Sequence, residues 1–334
     1  MSLTVFYGLV FPFCSRNVLR ADAGGHLPMD IILAPTNLGL SPLYAGHQPG
    51  TWRAPEALMS AGLLEALGVE ASVISLPRPH YSPEPPAGTL IRNGDAIRTF
   101  SLRLAEDVAK TVASGRFALV LGGDCSVLLG ALAGARRSGP LSLIHCDGHS
   151  DFRHPGNYDA SRTMSGVAGM DLALATGRGE DFLTQWPGSA DPLVQDAHVL
   201  QIGERESHDA DFAWPDSVQT VITQIDIFAF QALGVSGASL ALQEFLKKQP
   251  AGFWIHFDVD VLDQSIMLAV DCPGSPGLSP DDVVALLNPL VSDARCLGMT
   301  VSIYDPDKDP TGCCARTLVQ ILGQFAYRAT NVPG

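Results

Sequence analysis

The sequence predicts an α/β fold with a mostly parallel sheet. From Met29 onward, short apolar runs alternate with longer segments of helical period, the pattern of parallel strands joined by crossover helices. Several of those runs are apolar throughout, as strands covered on both faces should be. Polar clusters directly follow three of them, and the carboxyl ends of strands in an open parallel sheet are where ligands bind.

In chain order, "DIILA" (30–34) reads as the first strand, "APEALMSAGLLEAL" (54–67) as the first helix and "ASVISL" (71–76) as the second strand. The loop-rich stretch 77–94 is long enough to be functional. A helix over 95–113 leads to the strand "FALVL" (117–121), and a helix over 126–137 leads to the strand "LSLIH" (141–145). After a second long loop at 152–166, strands follow at "HVLQI" (198–202), "FWIHF" (253–257) and "GMTVSI" (298–303). Helices are expected at 238–248, at 279–291 and after Cys314. The start of the 279–291 helix is well signalled, with Ser279 as N-cap, Pro280 at the first helical position and acids in the first turn.

A chain of 334 residues with 46% apolar content can bury a substantial core. Its net charge of −14 excludes the basic face of a nucleic-acid binder. Seven cysteines in so long a chain do not form a small secreted disulfide framework, which points to a reduced, cytoplasmic setting. The vicinal Cys313 and Cys314 read as structural residues opening a helix. Residues 4–14, "TVFYGLVFPFC", have no Lys or Arg ahead of them, and they are too short to span a bilayer, so no membrane partner is expected. Residues 1–28 read as an N-terminal extension and 29–334 as a single domain.

The three polar clusters are "GGDCS" (122–126), "DGHSD" (147–151) and "DVDVLD" (258–263). In extended backbone, residues at i, i+2 and i+4 point the same way, so Asp147, His149 and Asp151 can face one point, as can Asp258 and Asp260. Four carboxylates and an imidazole repel one another unless cations neutralise them, and they suit two divalent ions, Mn²⁺ fitting best. A lone Asp-x-Asp is more often a turn or cap; Asp-x-His-x-Asp after an apolar strand is more specific. Cys146, pointing away from the cluster, reads as a core residue.

Together these clusters resemble the ureohydrolase family of arginases and agmatinases, whose patterns are Gly-Gly-Asp-His-Ser, Asp-Ala-His-x-Asp and Asp-x-Asp-x-x-Asp-Pro. The resemblance runs from about Met29 to the C-terminus. It implies a three-layer α/β/α fold around a roughly eight-stranded sheet, a dinuclear manganese centre and hydrolysis of a guanidino-type C–N bond. It also implies that Asp147 and Asp258 bridge the ions, Cys125 and Asp151 complete one, and His149 and Asp260 complete the other. Asp151 would further orient the nucleophile, a water that two cations about 3.5–4 Å apart activate. Family members commonly assemble as homo-oligomers.

Departures from the pattern carry information about the substrate. Cys125 stands where the family has a histidine, and its softer thiolate makes Zn²⁺, Co²⁺ or Fe²⁺ more competitive. This cysteine and "DGHSDF" resemble the branch containing Nω-hydroxy-L-arginine amidinohydrolase. "SGVAGM" (165–170) puts Ala168 where arginases carry a proton-shuttling histidine, with His154 as a replacement and Ser165 as a substrate contact. "SIYDP" puts Ile303 where a Glu anchors the guanidinium, a charge-assisted contact of about 1.5–3 kcal/mol; Asp305 and Asp307 are the nearby substitutes. Arg153 falls where the substrate's α-carboxylate binds, and Glu206 where its α-amino group is met.

The expected activity is therefore hydrolysis of a non-peptide C–N bond in a small guanidino-, hydroxyguanidino- or formimino-type amino-acid derivative. The rivals are a catalytically impaired metal-binding member of the same family, which Cys125, Ala168 and Ile303 motivate, and an arginase-fold deacetylase. The latter relies on an adjacent His–His pair that "GVAGM" and "LIHCD" do not supply.

Overall fold

A computed structural model describes residues 29–84, 89, 91–154, 166–188, 191–206, 221–249 and 252–327. Its sheet has eight strands, one more than the apolar runs predict and as many as the resemblance implies: β1 (Met29–Ala34), β2 (Ala71–Ser75), β3 (Phe117–Gly122), β4 (Leu141–Cys146), β5 (Val199–Ile202), β6 (Thr223–Ile225), β7 (Gly252–Asp258) and β8 (Cys296–Ser302). They pair in the order β2-β1-β3-β8-β7-β4-β5-β6, and every pairing is parallel.

The helices are α1 (Ala54–Ser60), α2 (Leu63–Leu67), α3 (Gly94–Ala113), α4 (Val127–Ala135), α5 (Asp171–Ala175), α6 (Asp181–Thr184), α7 (Ile227–Lys247), α8 (Pro280–Val291) and α9 (Cys313–Gln324). They cover both faces. Side chains of α1, α2, α7, α8 and α9 join Ile31, Leu119, Ile144, Cys146, Ile255 and Phe257 in one apolar cluster. Side chains of α3, α4, α5 and α6 join Ile32, Val120, Leu143 and Trp254 in the other. Alternate residues of the central strands thus feed opposite cores, as a pleated backbone requires, and Cys146 is the buried core residue expected of it.

Several boundaries moved for identifiable reasons. The helix expected over 54–67 is two, broken at Gly62, whose φ of 92° lies outside the helical region. The helix expected from 238 begins at Ile227, where the Asp226 side chain accepts from the Ala229 amide at 2.7 Å, and it kinks at Gly234. Ser279 does cap α8, through a reciprocal capping box with Asp282. Among the described residues the cysteines are free thiols, and no helix is long and apolar enough to cross a membrane. The 1–28 extension and Ser165 lie outside the described residues.

Candidate metal centre

The three sequence clusters converge at the carboxyl ends of β3, β4 and β7, near the middle of the sheet. Register is the reason. β4 and β7 are aligned with Cys146 opposite Phe257, so Asp147 follows one strand just where Asp258 ends the other. Donor atoms of Asp147, His149 and Asp260 lie within 4.8 Å of one another, as do those of Asp147, Asp151 and Asp258, and those of Cys125, His256 and Asp258.

The backbone that gathers these donors is not the extended one the spacing suggests. β4 ends at Cys146, and Asp147 Oδ1 accepts from the His149 amide at 2.7 Å. Asp258 Oδ1 accepts from the Asp260 amide at 2.8 Å, and Val259–Val261 forms a single 3₁₀ turn. Both segments are Asx-type turns, in which a short acid folds the chain back over itself. Asp151 is held at φ 45°, a left-handed conformation rare outside glycine that persists only where the surroundings impose it.

Hydrogen bonds brace these candidate donors. His149 Nδ1 lies 2.9 Å from Asp260 Oδ2, and Gln201 Nε2 donates to the His149 carbonyl at 2.6 Å. Arg205 Nη2 donates to the Asp260 carbonyl at 2.6 Å, packed so closely on Gly148 and Gly274 that a Cβ at either glycine would clash with it. Cys125 Sγ donates to Asp258 Oδ2 at 2.7 Å.

The electrostatics are those of an uncompensated acid nest. Burial, then neighbouring acids, push Asp147, Asp151 and Asp258 well above the usual carboxylate range. Burial and Asp258 likewise push the Cys125 thiol up. Burial alone would lower His149, but Asp260, with Asp147 and Glu206 behind it, outweighs burial and lifts it to about 9. Asp147 Oδ2 is buried without a hydrogen-bond partner. Orphaned buried oxygens and mutually repelling acids fit residues that share divalent cations.

The family model for the arginase family matches residues 35–327. This chain belongs to the arginase family. An arginase of Bacillus caldovelox is 29% identical over 272 residues, covering 75% of this chain and 82% of the relative. Proclavaminate amidinohydrolase of Streptomyces clavuligerus is 26% identical over 313 residues, covering 89% and 87%. The solved structure of arginase from Bacillus caldovelox superposes with a TM-score of 0.76 at 26% identity, covering 90% of this chain and 98% of that one.

Positions where this member departs from the arginase pattern are now placed. Ile303 is buried at φ 72°, its amide donating to the Gly123 carbonyl at 2.7 Å. Neither nearby acid is unengaged: Asp305 accepts from the Gly50 and Asp307 amides, and Asp307 pairs with Arg53 at 2.6 Å. Ala168 is buried, its amide donating to the Gly39 carbonyl. Glu206 Oε2 accepts from both the amide and the hydroxyl of Ser150, at 3.2 and 3.3 Å, which ties it to the ligand loop. Arg153 is exposed, and His154 is buried edge-on against Phe152.

Sequence reasoning missed three fully buried residues beneath the acids. His145 and His256 stack with ring centroids 4.9 Å apart, and Asp171 at the start of α5 faces both. Register makes this layer: Thr300, His256, His145, Gln201 and Gln224 are successive partners across β8, β7, β4, β5 and β6. The signal was present, because a histidine precedes the first acid by two positions in both "HCD" and "HFD". Burial holds His145 down to about 3 and His256 well below the usual imidazole range, so both rings are neutral.

Proposed function

We propose that this arginase-family member is a metal-dependent hydrolase of a non-peptide C–N bond in a guanidino-, hydroxyguanidino- or formimino-type amino-acid derivative. The observation that carries the reading is the convergence of Asp147, His149, Asp151, Asp258 and Asp260 with Cys125 at one point of the sheet edge. Cys125, Asp147, His149, Asp151, Asp258 and Asp260 would hold two divalent ions. Mn²⁺ is the first choice, and the Cys125 sulfur admits Zn²⁺, Co²⁺ or Fe²⁺. Such a pair of ions, when bound, supplies Lewis-acid charge stabilisation and an activated water.

The chain's own residues supply the rest. Asp151, fixed at its left-handed φ, accepts a hydrogen bond from the nucleophile and sets its direction. Glu206, anchored by Ser150, meets the substrate's α-ammonium, while Arg153 and Ser165 grip its α-carboxylate. His154 carries the proton to the leaving group. Ile303 offers no carboxylate to a guanidinium, and Asp305 and Asp307 are engaged elsewhere. That favours a hydroxyguanidine or formimino group, whose better leaving group or lower charge needs less help. A reduced cytoplasmic setting and a homo-oligomer belong to the same reading.

The test is a product screen of Mn²⁺- and Zn²⁺-loaded protein against arginine, Nω-hydroxyarginine, agmatine, guanidinobutyrate and formiminoglutamate. Release of urea, hydroxyurea or formamide from one of these supports the proposal. Bound ions with no turnover on the whole panel would instead support the impaired, metal-binding reading, which the buried Ile303 favours.

A further inference from the structure

The layer of His145, His256 and Asp171 takes no part in the two-ion reading. Asp171 Oδ1 lies 3.5 Å from His145 Nε2, Asp171 Oδ2 lies 3.6 Å from His256 Nε2, and His145 Nε2 lies 3.7 Å from Asp147 Oδ2. These separations are longer than a good N–H···O bond of about 2.7–3.2 Å. Two donors held by one tetrahedral ion at about 2.1 Å each stand about 3.4 Å apart. The spacing is that of co-ligands.

Hydrogen-bond bookkeeping points the same way. Both ring nitrogens of His145 and Asp147 Oδ2 are buried without a partner, and the oxygens of Asp171 have no side-chain partner. Only the adjacent Leu172 amide offsets the burial of Asp171. Buried polar atoms left unpaired are destabilising, so their crowding into one layer calls for a shared partner. His256 Nδ1 lies 2.7 Å from Thr300 Oγ1, and His256 Nε2 faces Asp171 with a long contact to Ser302 Oγ at 3.4 Å beside it. A bonded far nitrogen is the usual support of a ligating imidazole.

The carboxylates Asp147, Asp151, Asp258 and Asp260 are already assigned to two divalent ions. Asp171 is a further buried acid, and among the described residues no Lys or Arg pairs with it.

We infer that this layer is a third cation site, formed by His145 Nε2, His256 Nε2 and Asp171 with Asp147 Oδ2 shared from the centre above, and suited to Zn²⁺. Two imidazoles and two carboxylates are a donor set that zinc takes readily. The inference goes beyond the two-ion reading and is independent of the substrate.

The experiment is metal stoichiometry. Full-length protein is stripped with a chelator, reloaded with Zn²⁺, freed of excess metal by gel filtration and analysed by mass spectrometry, alongside Asp171→Asn. The expected result is three ions per chain in the wild type and two in Asp171→Asn. Two ions falling to one supports the inner site only where zinc-edge absorption of the wild type gives about one imidazole or more per zinc, and otherwise overturns it. Two ions in both proteins overturns the inner site and leaves the dinuclear reading standing. X-ray absorption at the zinc edge of the unmutated protein is the second measurement, since it needs no variant to fold. With the inner site filled, His145, His149 and His256 give about one imidazole per zinc; with the outer centre alone, His149 gives about one for every two, and that lower value would sink the proposal.

Discussion

Replacing Asp151 by Asn separates the repulsion inside the acid nest from its affinity for cations. Asp151 is buried, and after burial each charged neighbour acting on it, Asp147, Asp171, Asp258 and Asp260, is an acid that raises its pKa further. Its donor atom lies within 4.8 Å of those of Asp147 and Asp258. At an effective dielectric constant near 20, each fully ionised pair at that separation repels by about 3 kcal/mol. Protonation relieves part of this at neutral pH, so Asp151→Asn should stabilise the ion-free protein by about 1–3 kcal/mol. The left-handed φ of 45° does not oppose the change, because Asn tolerates that region as Asp does. The melting temperature of chelator-treated protein should then rise by about 2–6 °C. With Mn²⁺ at about 100 times its dissociation constant, the wild type should gain about 2.7 kcal/mol and the variant should lose most of that increment. Differential scanning calorimetry with and without Mn²⁺ reads both effects. A variant that melts lower than wild type without ions, yet keeps the full increment with them, would refute the reasoning.

Four further outcomes are expected. Cys125→His should shift metal preference toward Mn²⁺ over Zn²⁺ in competitive loading, whereas unchanged metal content and selectivity would count against the thiol as a ligand. Gly123→Ala should cost more than about 2 kcal/mol in urea unfolding and weaken metal binding, because a Cβ there lands on the Thr36 carbonyl and displaces the loop carrying Cys125. Ser279→Ala should lower the urea midpoint by the equivalent of about 1 kcal/mol with an unchanged m-value, through loss of the capping box of α8. Asp263 is held down from 3.8 to about 2 by the backbone amide and hydroxyl of Ser265 and by Ser275. Its contribution is present above pH 3.8 and lost as pH falls toward 2, worth at most about 2 kcal/mol and nearer 1 after solvent screening. Asp263→Asn should flatten that part of the stability profile, measured by unfolding between pH 5 and 2.

Continuous apolar runs made most of the sheet legible, since Phe117–Gly122, Leu141–Cys146 and Gly252–Asp258 are buried on both faces and carry no competing period. β6 was not legible, because three residues with two polar ones have no period to read. The first half of α7 was hidden by Gly234 and Gly237, which interrupt its pattern and mark a real kink. The convergence of these acids and His149 was readable from Asp-x-His-x-Asp and Asp-x-Asp, but the conformation was not, because Asx turns bring the same residues together as an extended strand would. His145, His256 and Asp171 escaped for a different reason. Each lies inside an apolar segment, and only the pairing of β4 with β7 shows that two such exceptions are neighbours.

That pairing also dictates when the centre can come into being. Cys125 and Asp258 touch across 133 positions of sequence, and Gly148 and Asp260 across 112, so a chain emerging from the ribosome carries Asp147, His149 and Asp151 long before their partners exist. Until β7 slots between β4 and β8, the growing polypeptide holds half a chelator with its acids still open to water. On the proposed reading, metal affinity is thus a property of finished tertiary structure, and β7 and β8, the central strands made last, would be the latch that converts a nascent acidic loop into a closed site.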